Sequence, residues 1–241
     1  MKSPASGDVV APQSPVRIPV RDGGWFPVRR VYCVGRNFAD HAREMGAAVP
    51  ASAAGRGQPV FFFKPGDAVV VDGIVPYPPG TSDLQHEVEL VVALGRDAPA
   101  GELDAAAAAS LVFGYAVGLD LTRRDLQSAA KAKGLPWDTG KAFDASAPVS
   151  RISPADGRHD LRDASLRLEV NGELRQHGRL RDLIWSVPEI LIELSRLYRL
   201  RAGDLVFMGT PAGVAPLQVG DRFHAMLTGL NVELHGCVQA G

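Results

Sequence analysis

Three acidic side chains are the first candidates for chemistry in this sequence. Glu87 and Glu89 stand two residues apart in the apolar run 87–94, so that a β-strand would direct both carboxylates to one face. At the resulting separation of ~6.6 Å, two unit charges repel by ~2.5 kcal/mol at an effective dielectric constant of ~20. A solvated edge strand would tolerate this repulsion. The alternative is a buried face, which would require a cation.

Asp120 is the third acid, and it lies in a second apolar run, residues 114–121, with glycine at positions 114 and 118. Glycine within a strand marks a close approach of a neighbouring group. Because an unpaired buried carboxylate is costly, we expect Asp120 to have a partner. Three acids without clustered histidine or cysteine favour a hard ion, Mg²⁺ or Mn²⁺, over zinc. One dication among three carboxylates would leave a negative charge and open positions for water or substrate.

His41 and Glu44 form a second candidate pair. On a short helix, residues three apart face the same way, so that the carboxylate could hold the imidazole as a general base for water. The alternative is a surface histidine beside a helical acid. Lys141 is predicted in a flexible loop, where it could stabilise an oxyanion or simply be solvated. Thr210, in the segment 209–214, offers a hydroxyl and nearby backbone N–H groups to a carboxylate, unless this segment is only a tight turn.

Three helical patterns are among the predicted elements that would position these candidate residues. Asp104 is the expected N-cap of the first helix. Thr122 with Asp125, and Ser186 with Glu189, are the expected capping boxes of the other two. The predicted helices cover residues 104–111, residues 123–133 and a segment that follows Ser186.

Strand patterns are more numerous than helical ones. Asn171-Gly172 between two of them predicts a β-hairpin, because both residues tolerate positive φ. The strands do not alternate regularly with helices, which favours a mixed, β-rich α+β fold over a doubly wound parallel sheet. The predicted strands include residues 87–94, 112–121, 166–170, 205–208, 222–228 and 232–238.

The composition restricts the class of protein and of partner. The chain has 241 residues, of which 46% are hydrophobic and 22% charged, typical of one well-filled globular unit or two small ones. A formal net charge of −1 gives no reason to expect nucleic acid or an anionic membrane. Cys33 and Cys237 match no ligand spacing, which suggests free thiols in a reducing compartment. We therefore expect a cytoplasmic protein with a small-molecule partner.

The chain divides into a short N-terminal segment and one domain. Residues 1–25 are rich in Pro, Ser and Ala and lack the continuous apolar stretch of a secretory signal, so we predict a flexible lead-in. No linker is visible after residue 27. Residues 26–241 are therefore predicted to form a single catalytic domain.

Five separated motifs together resemble one known family. They are VYCVGRNFADH at 31–41, FKP at 63–65, HEVE at 86–89, GLDLTRRD at 118–125 and GTPAG at 209–213. In this order they resemble the fumarylacetoacetate hydrolase family, in its short branch of acylpyruvases and fumarylpyruvate hydrolases. The resemblance extends from about residue 26 to residue 238. It implies a mixed β-sandwich roll with a few peripheral helices, a homodimer, and a Mg²⁺ or Mn²⁺ ion in each subunit.

The resemblance also implies a role for each candidate. Glu87, Glu89 and Asp120 match the metal ligands of the family. His41 and Glu44 match its water-activating pair, carried on a short lid helix, and Lys141 matches its oxyanion-stabilising lysine. The positions that match substrate contacts are Arg36, Lys64, Arg124, Gln127 and Thr210.

The implied reaction is hydrolysis of a carbon–carbon bond in a 2,4-dioxo acid, with fumarylpyruvate giving fumarate and pyruvate. The alternatives are an oxaloacetate decarboxylase, an isomerase of a related oxo acid and, least favoured, a metal-binding scaffold without activity. Residues 31–36 lack the fourth acidic ligand of longer members, which disfavours fumarylacetoacetate as substrate. Gln85 and the pair Thr139-Gly140 also depart from residues common in the short branch, and they could alter the shape of the pocket.

Overall fold

The helices and strands of the computed structural model lie within residues 7–44, 55–155 and 161–241, the part of the chain that the structure describes. The helices are α1 (Ala39–Glu44), α2 (Ala105–Ser110), α3 (Arg124–Ala132), α4 (Asp138–Lys141) and α5 (Val187–Leu197). The strands are β1 (Arg17–Pro19), β2 (Trp25–Pro27), β3 (Val31–Gly35), β4 (Val60–Lys64), β5 (Val69–Val70), β6 (Ile74–Pro76), β7 (Leu84–His86), β8 (Val88–Leu94), β9 (Val112–Leu119), β10 (Thr122–Arg123), β11 (Ala147–Pro148), β12 (Ser153–Pro154), β13 (Ser165–Val170), β14 (Glu173–Arg179), β15 (Leu205–Phe207), β16 (Ala215–Pro216), β17 (Arg222–Leu227) and β18 (Val232–Gln239).

A six-stranded sheet holds the acidic strand β8 in its interior. Its order is β12-β9-β8-β15-β3-β4, and neighbouring strands are antiparallel except for β15 and β3. Leu90 and Val92 pack into one hydrophobic cluster and Val91 and Ala93 into another, so the predicted alternation is confirmed. Every residue of β8 is buried, and the edge-strand alternative is therefore wrong.

A five-stranded sheet, ordered β14-β13-β17-β18-β6, packs against the first. Leu168 and Leu234 of this sheet share a hydrophobic cluster with Leu90 of β8. The predicted hairpin is confirmed, because β13 and β14 pair antiparallel and Asn171 and Gly172 have φ of 54° and 81°. The β-rich α+β class and the β-sandwich architecture are thus confirmed.

Two of the three predicted helix starts are confirmed and one is wrong. Asp104 accepts a hydrogen bond from Ala107 N at 2.7 Å, and Ser186 N donates to Glu189 at 2.8 Å. No side chain caps α3, because Asp125 instead accepts from the hydroxyl of Thr81 at 2.6 Å. A tertiary partner has replaced the local cap. No helix among the described residues has the length and apolar character that spanning a membrane requires.

The predicted lead-in is wrong for its last part. β1 pairs antiparallel with β2, and Ile18 is fully buried in the same hydrophobic cluster as Val91 of β8. Val16 and Val20 pack against this cluster on either side of Ile18. Burial of these alternating apolar side chains stabilises the strand. The high content of proline and serine in this segment gave no indication of it.

Candidate metal centre and active site

The three predicted acids come together where the chain passes from β7 into β8, beside the end of β9. Glu89 lies opposite Gly118 in the antiparallel β8–β9 pair, and Asp120 N donates to Glu87 O at 2.8 Å. All three side chains are buried, and one carboxylate oxygen from each lies within 4.8 Å of the others. A Cβ on Gly118 would lie 2.9 Å from atoms of Val91, so glycine permits the close packing beside the cluster.

Three cationic side chains contact the acidic cluster. The Nζ atom of Lys141 lies 2.9 Å from Glu87 and 2.6 Å from Asp120, and that of Lys64 lies 2.9 Å from Asp120. Arg124 donates to the second oxygen of Glu87. The cations therefore match the acids in number. Three carboxylates with one dication would sum to −1, and the surrounding cations would more than offset that charge.

The electrostatics of the metal-free cluster favour a further cation. Burial raises the pKa of Glu89 well above its usual range, and the charges of Asp120 and Glu87 raise it further. Burial opposes the charge on Lys141, but the same two carboxylates outweigh this effect and raise its pKa. Asp120 Oδ1 is buried and has no aligned hydrogen-bond partner among the described residues, although Lys64 lies nearby. An oxygen-only set with an unused lone pair fits a hard divalent ion.

Lys141 lies on a helical turn, α4, where a flexible loop was predicted. Besides its two carboxylates it donates to Thr122 Oγ1 at 2.7 Å, so all three N–H groups of the ammonium have partners. Gly140 is buried against α3, and a Cβ there would lie 2.9 Å from Gln127 N. The loop prediction is wrong because glycine serves the close contact of α4 with α3, rather than flexibility.

Lys64 is buried behind the acids and does not line the cavity that they face. Its ammonium donates to the backbone oxygens of Leu121 and Lys141 and lies beside Asp120. This geometry disagrees with the expected substrate contact. Lys64 instead positions Asp120 and the start of the segment that leads into α3.

A cavity of about 30 Å³ opens above the acids, room for about two water-sized particles. One wall is the face of α3 that carries Arg124, Gln127 and Lys131, at helical spacings of three and four residues. Gln85 accepts a hydrogen bond from Arg124 Nε at 2.8 Å, and Gln127 accepts from another guanidinium nitrogen at 2.7 Å. The predicted residues Arg36 and Thr210 also line this cavity.

Lys131 is a cavity residue that the sequence analysis missed. Burial lowers the pKa of Lys131 to about 8, with a further contribution from the charge of Arg124. Its Nζ lies 4.9 Å from the ring centre of Trp137, which also lines the cavity. Its spacing of four residues after Gln127 and seven after Arg124 puts Lys131 on the same helix face, and this spacing could have identified it from the sequence.

Gln176 is a second residue that the sequence analysis missed. Its amide oxygen accepts from Val88 N at 3.0 Å, and its amide nitrogen donates to Thr210 Oγ1 and to Pro211 O, each at 2.8 Å. Because Thr210 accepts from Gln176, its own O–H group stays available for another acceptor. A single glutamine on β14 offers no sequence signal for this role.

The predicted pair on α1 is described only in part. The backbone confirms the short helix, but the side chain of His41 lies outside the described part of the structure. Glu44 accepts from Gly213 N at 3.3 Å, so the end of α1 contacts the segment that carries Thr210. Arg36 precedes this helix with φ of 60° and is exposed at the cavity.

The fold and the site define a β-sandwich protein with a buried, oxygen-only acidic cluster suited to a divalent metal. A model of the family described as Fumarylacetoacetate (FAA) hydrolase C-terminal matches residues 30–238. The chain therefore belongs to this enzyme family, and the resemblance predicted from its motifs is confirmed.

Named relatives in the family carry more than one activity. The chain is 42% identical over 207 residues to the mitochondrial oxaloacetate tautomerase FAHD1 of Bos taurus, covering 86% of this chain and 90% of the relative. It is 37% identical over 212 residues to the mitochondrial oxaloacetate decarboxylase of Dictyostelium discoideum, covering 87% and 94%. The crystal structure of fumarylpyruvate hydrolase from Pseudomonas aeruginosa, in complex with Mn²⁺ and pyruvate, has a TM-score of 0.90 and 45% identity, covering 98% of this chain and 100% of that one.

Proposed function

We propose that this protein is a metal-dependent hydrolase that cleaves fumarylpyruvate to fumarate and pyruvate. The observation that carries the proposal is the acidic cluster of Glu87, Glu89 and Asp120 beneath a cavity with a cationic wall. The similarity to a fumarylpyruvate hydrolase whose structure contains Mn²⁺ and pyruvate supports it.

Mg²⁺ or Mn²⁺ would be held by Glu87, Glu89 and Asp120. Burial and the charges of the neighbouring acids raise the pKa of Glu89, and a bound cation would offset both effects. The unused lone pair on Asp120 also supports this assignment. A bound ion supplies Lewis-acid stabilisation of negative charge on the 2-oxo and carboxylate oxygens of the substrate.

The surrounding side chains select an anionic substrate. Arg124 and Lys141 neutralise Glu87 and Asp120, so a bound dication would leave the cluster positive and attractive to a dianion. The O–H group of Thr210, left available by Gln176, would donate to the substrate carboxylate at the pyruvate end. Lys131 lies seven residues beyond Arg124 on α3, about 10 Å along the helix axis, and would bind the second carboxylate of a fumaryl group.

His41, oriented by Glu44, would act as the general base. It would take a proton from water as the water oxygen forms a bond to carbon 4. Gln127 and the positive charge of Lys141, whose three N–H groups are already paired, would stabilise the developing oxyanion. The bond between carbons 3 and 4 then breaks, and its electron pair passes to the pyruvate fragment as an enolate. The proton held by His41 returns to carbon 3, and the acyl group leaves as a carboxylic acid.

The second candidate is an enzyme acting on oxaloacetate as a tautomerase or decarboxylase. The relatives of 42% and 37% identity with these names favour it. Oxaloacetate is also a dianion and would use the same cations, but decarboxylation needs no base for water. Hydrolysis and decarboxylation therefore differ in their need for His41.

One panel of substrates separates these candidates. We expect the protein with Mg²⁺ or Mn²⁺ to turn over fumarylpyruvate faster than maleylpyruvate, acetylpyruvate or oxaloacetate. His41→Ala should lower hydrolysis by ~100-fold or more and retain Mn²⁺ binding, because a positioned base contributes on that scale. Glu87→Ala should abolish Mn²⁺ binding in calorimetry.

His177→Ala is the matched control, because His177 is an exposed histidine on β14 that does not line the cavity. Undiminished hydrolysis by His41→Ala would refute the proposed base, and full activity in the presence of a chelator would refute the metal assignment. Turnover of oxaloacetate alone would replace the hydrolase with the second candidate. The homodimer and the cytoplasmic location stay predictions, which sedimentation and localisation of a tagged protein would test.

A further inference from the structure

A second group of metal-ligating side chains lies on the five-stranded sheet, formed by residues other than those of the acidic cluster. His224 of β17 lies directly opposite His235 in the antiparallel β17–β18 pair. Glu233 stands two residues before His235, so the period of the strand puts both on one face. The alternate residues Phe223 and Leu234 are buried, and the three polar side chains are therefore on the outer face of the sheet.

One ligand atom from each residue of this outer cluster lies within 4.8 Å of the others. The Nε2 atoms of His224 and His235 lie 3.1 Å and 3.3 Å from the same oxygen of Glu233. The two imidazole rings are stacked, with centres 3.9 Å apart and planes inclined by 14°. A tetrahedral zinc site with bonds of about 2.0–2.1 Å separates neighbouring ligand atoms by about 3.3 Å. The hydrogen bonds from the two Nε2 atoms to Glu233 already hold the three side chains at about that separation, and a turn of one stacked ring would direct both nitrogens to a shared ion.

We propose that His224, Glu233 and His235 form a second metal site, for Zn²⁺ or a similar borderline ion. Two imidazoles and one carboxylate suit zinc, whereas the oxygen-only cluster of the cavity suits Mg²⁺ or Mn²⁺. Each neutral imidazole would bind through Nε2 and carry its proton on Nδ1. The two centres of this protein therefore differ in the class of ion that they select.

The surroundings of the outer cluster leave one coordination position to solvent. Glu169 lies opposite His224 on the neighbouring strand β13, but Arg167 donates to it at 2.7 Å and 3.0 Å. The cluster borders an open groove of about 500 Å³, so that an ion and a water molecule can enter. The proposed site is thus a three-ligand site with a fourth, water-filled position. It would join β17 to β18, far along the chain from the acids of the cavity.

Calorimetric titration of the full-length protein with ZnCl₂, in excess Mg²⁺, tests this site. We expect about one equivalent of Zn²⁺ to bind per chain, and His224→Ala and His235→Ala each to weaken that binding by 10-fold or more. His177→Ala, which removes an exposed histidine elsewhere on the same sheet, should bind Zn²⁺ as the original protein does. Mg²⁺-dependent turnover should be unchanged in all three variants.

A second titration removes the ambiguity of zinc entering the cavity. Glu87→Gln disrupts the acidic cluster, and we expect this variant to keep the Zn²⁺ equivalent that His224→Ala loses. Circular dichroism establishes that each variant is folded before titration. Zn²⁺ binding that is insensitive to His224→Ala and His235→Ala, or that is lost in Glu87→Gln, would overturn the proposal, as would the absence of any binding below 100-fold excess Zn²⁺.

Discussion

At the scale of single residues, the site is a balance of buried charges. Among the three acids, Glu89 is the one whose negative charge is least stabilised. It is buried, and its main hydrogen-bond donor is Gly209 N at 2.7 Å. Lys141 contacts Glu87 and Asp120, and Arg124 contacts Glu87. Within the described residues, no ion pair joins either cation to Glu89. A metal ion would supply the missing positive charge, so that metal binding and folding stability are coupled at this residue.

Glu89→Gln should therefore stabilise the metal-free protein while it impairs metal binding. The pKa of Glu89 is raised in the folded state, so the folded protein holds a proton that the unfolded chain releases above pH ~4.5. Glu89 therefore lowers the free energy of unfolding by an amount that grows as the pH rises, until the pH passes the raised pKa. Melting temperatures with a chelator should show a gain for Glu89→Gln that is larger at pH 8 than at pH 4.

The matched control for this prediction is Glu169→Gln, which changes a partly exposed glutamate of the other sheet. It should show no gain in melting temperature with pH. A Glu89→Gln variant that is less stable than the original protein at pH 8 without metal would contradict the prediction.

At the scale of elements, α3 and α4 together form the wall that would select the substrate. α3 presents Arg124, Gln127 and Lys131 to the cavity on one face. α4 brings Lys141 to the acids and packs Gly140 against the backbone of Gln127. The position of the polar wall thus depends on the close contact between two short helices.

Gly140→Ala tests this contact. The added Cβ would lie 2.9 Å from the backbone nitrogen of Gln127, and backbone cannot rotate away. We expect overpacking to cost about 1–3 kcal/mol and to raise KM for the substrate by displacing α3. Unfolding in urea and steady-state kinetics measure the two effects. Thr139→Ala, at the exposed neighbouring position, should change neither, and unaltered kinetics in Gly140→Ala would show that the contact does not position the wall.

Lys131→Gln tests the binding of a second carboxylate. A charge-assisted hydrogen bond is worth about 1.5–3 kcal/mol, so we expect KM for fumarylpyruvate to rise by about 10-fold or more. KM for acetylpyruvate, which lacks the second carboxylate, should change little. Lys133→Gln removes an exposed lysine two residues away and serves as the control. Equal effects of Lys131→Gln on both substrates would exclude this role for Lys131.

At the scale of the whole molecule, two sheets and an N-terminal strand enclose the acidic cluster. One hydrophobic cluster lies between the sheets, and a second covers the other face of β8, where Ile18 of β1 contributes. Both faces of β8 are therefore covered by apolar side chains, which keeps water from the strand that carries Glu89. The N-terminal strand is part of the support of the site, although it contributes no group to it.

Ile18→Ala should accordingly destabilise the protein by about 2–5 kcal/mol, the usual cost of truncating a fully buried isoleucine. Denaturation in urea measures this loss. Val10→Ala changes an exposed residue of the N-terminal segment and should have no measurable effect. A loss below 1 kcal/mol for Ile18→Ala would mean that β1 does not contribute to the stable fold.

The local features of the fold followed from residue order alone, because periodicity and turn chemistry act over a few residues. The period of two placed Glu87 and Glu89 on one face, and the positive φ of Asn171-Gly172 marked the hairpin. The chemistry of three acids without histidine or cysteine indicated the class of ion. Residue types at short spacing were sufficient for these conclusions.

The charged groups that contact the acids depend on tertiary packing. Lys64, Arg124 and Lys141 come from three different elements, and their contacts make the cluster balanced rather than negative. Gln176 reaches Thr210 and β8 from the other sheet, and Asp125 has a tertiary partner in place of a helix cap. Each of these outcomes depends on strand order and on packing between distant segments. Local sequence patterns contain no information on the distances between such segments. The net charge around the acids depends on those distances.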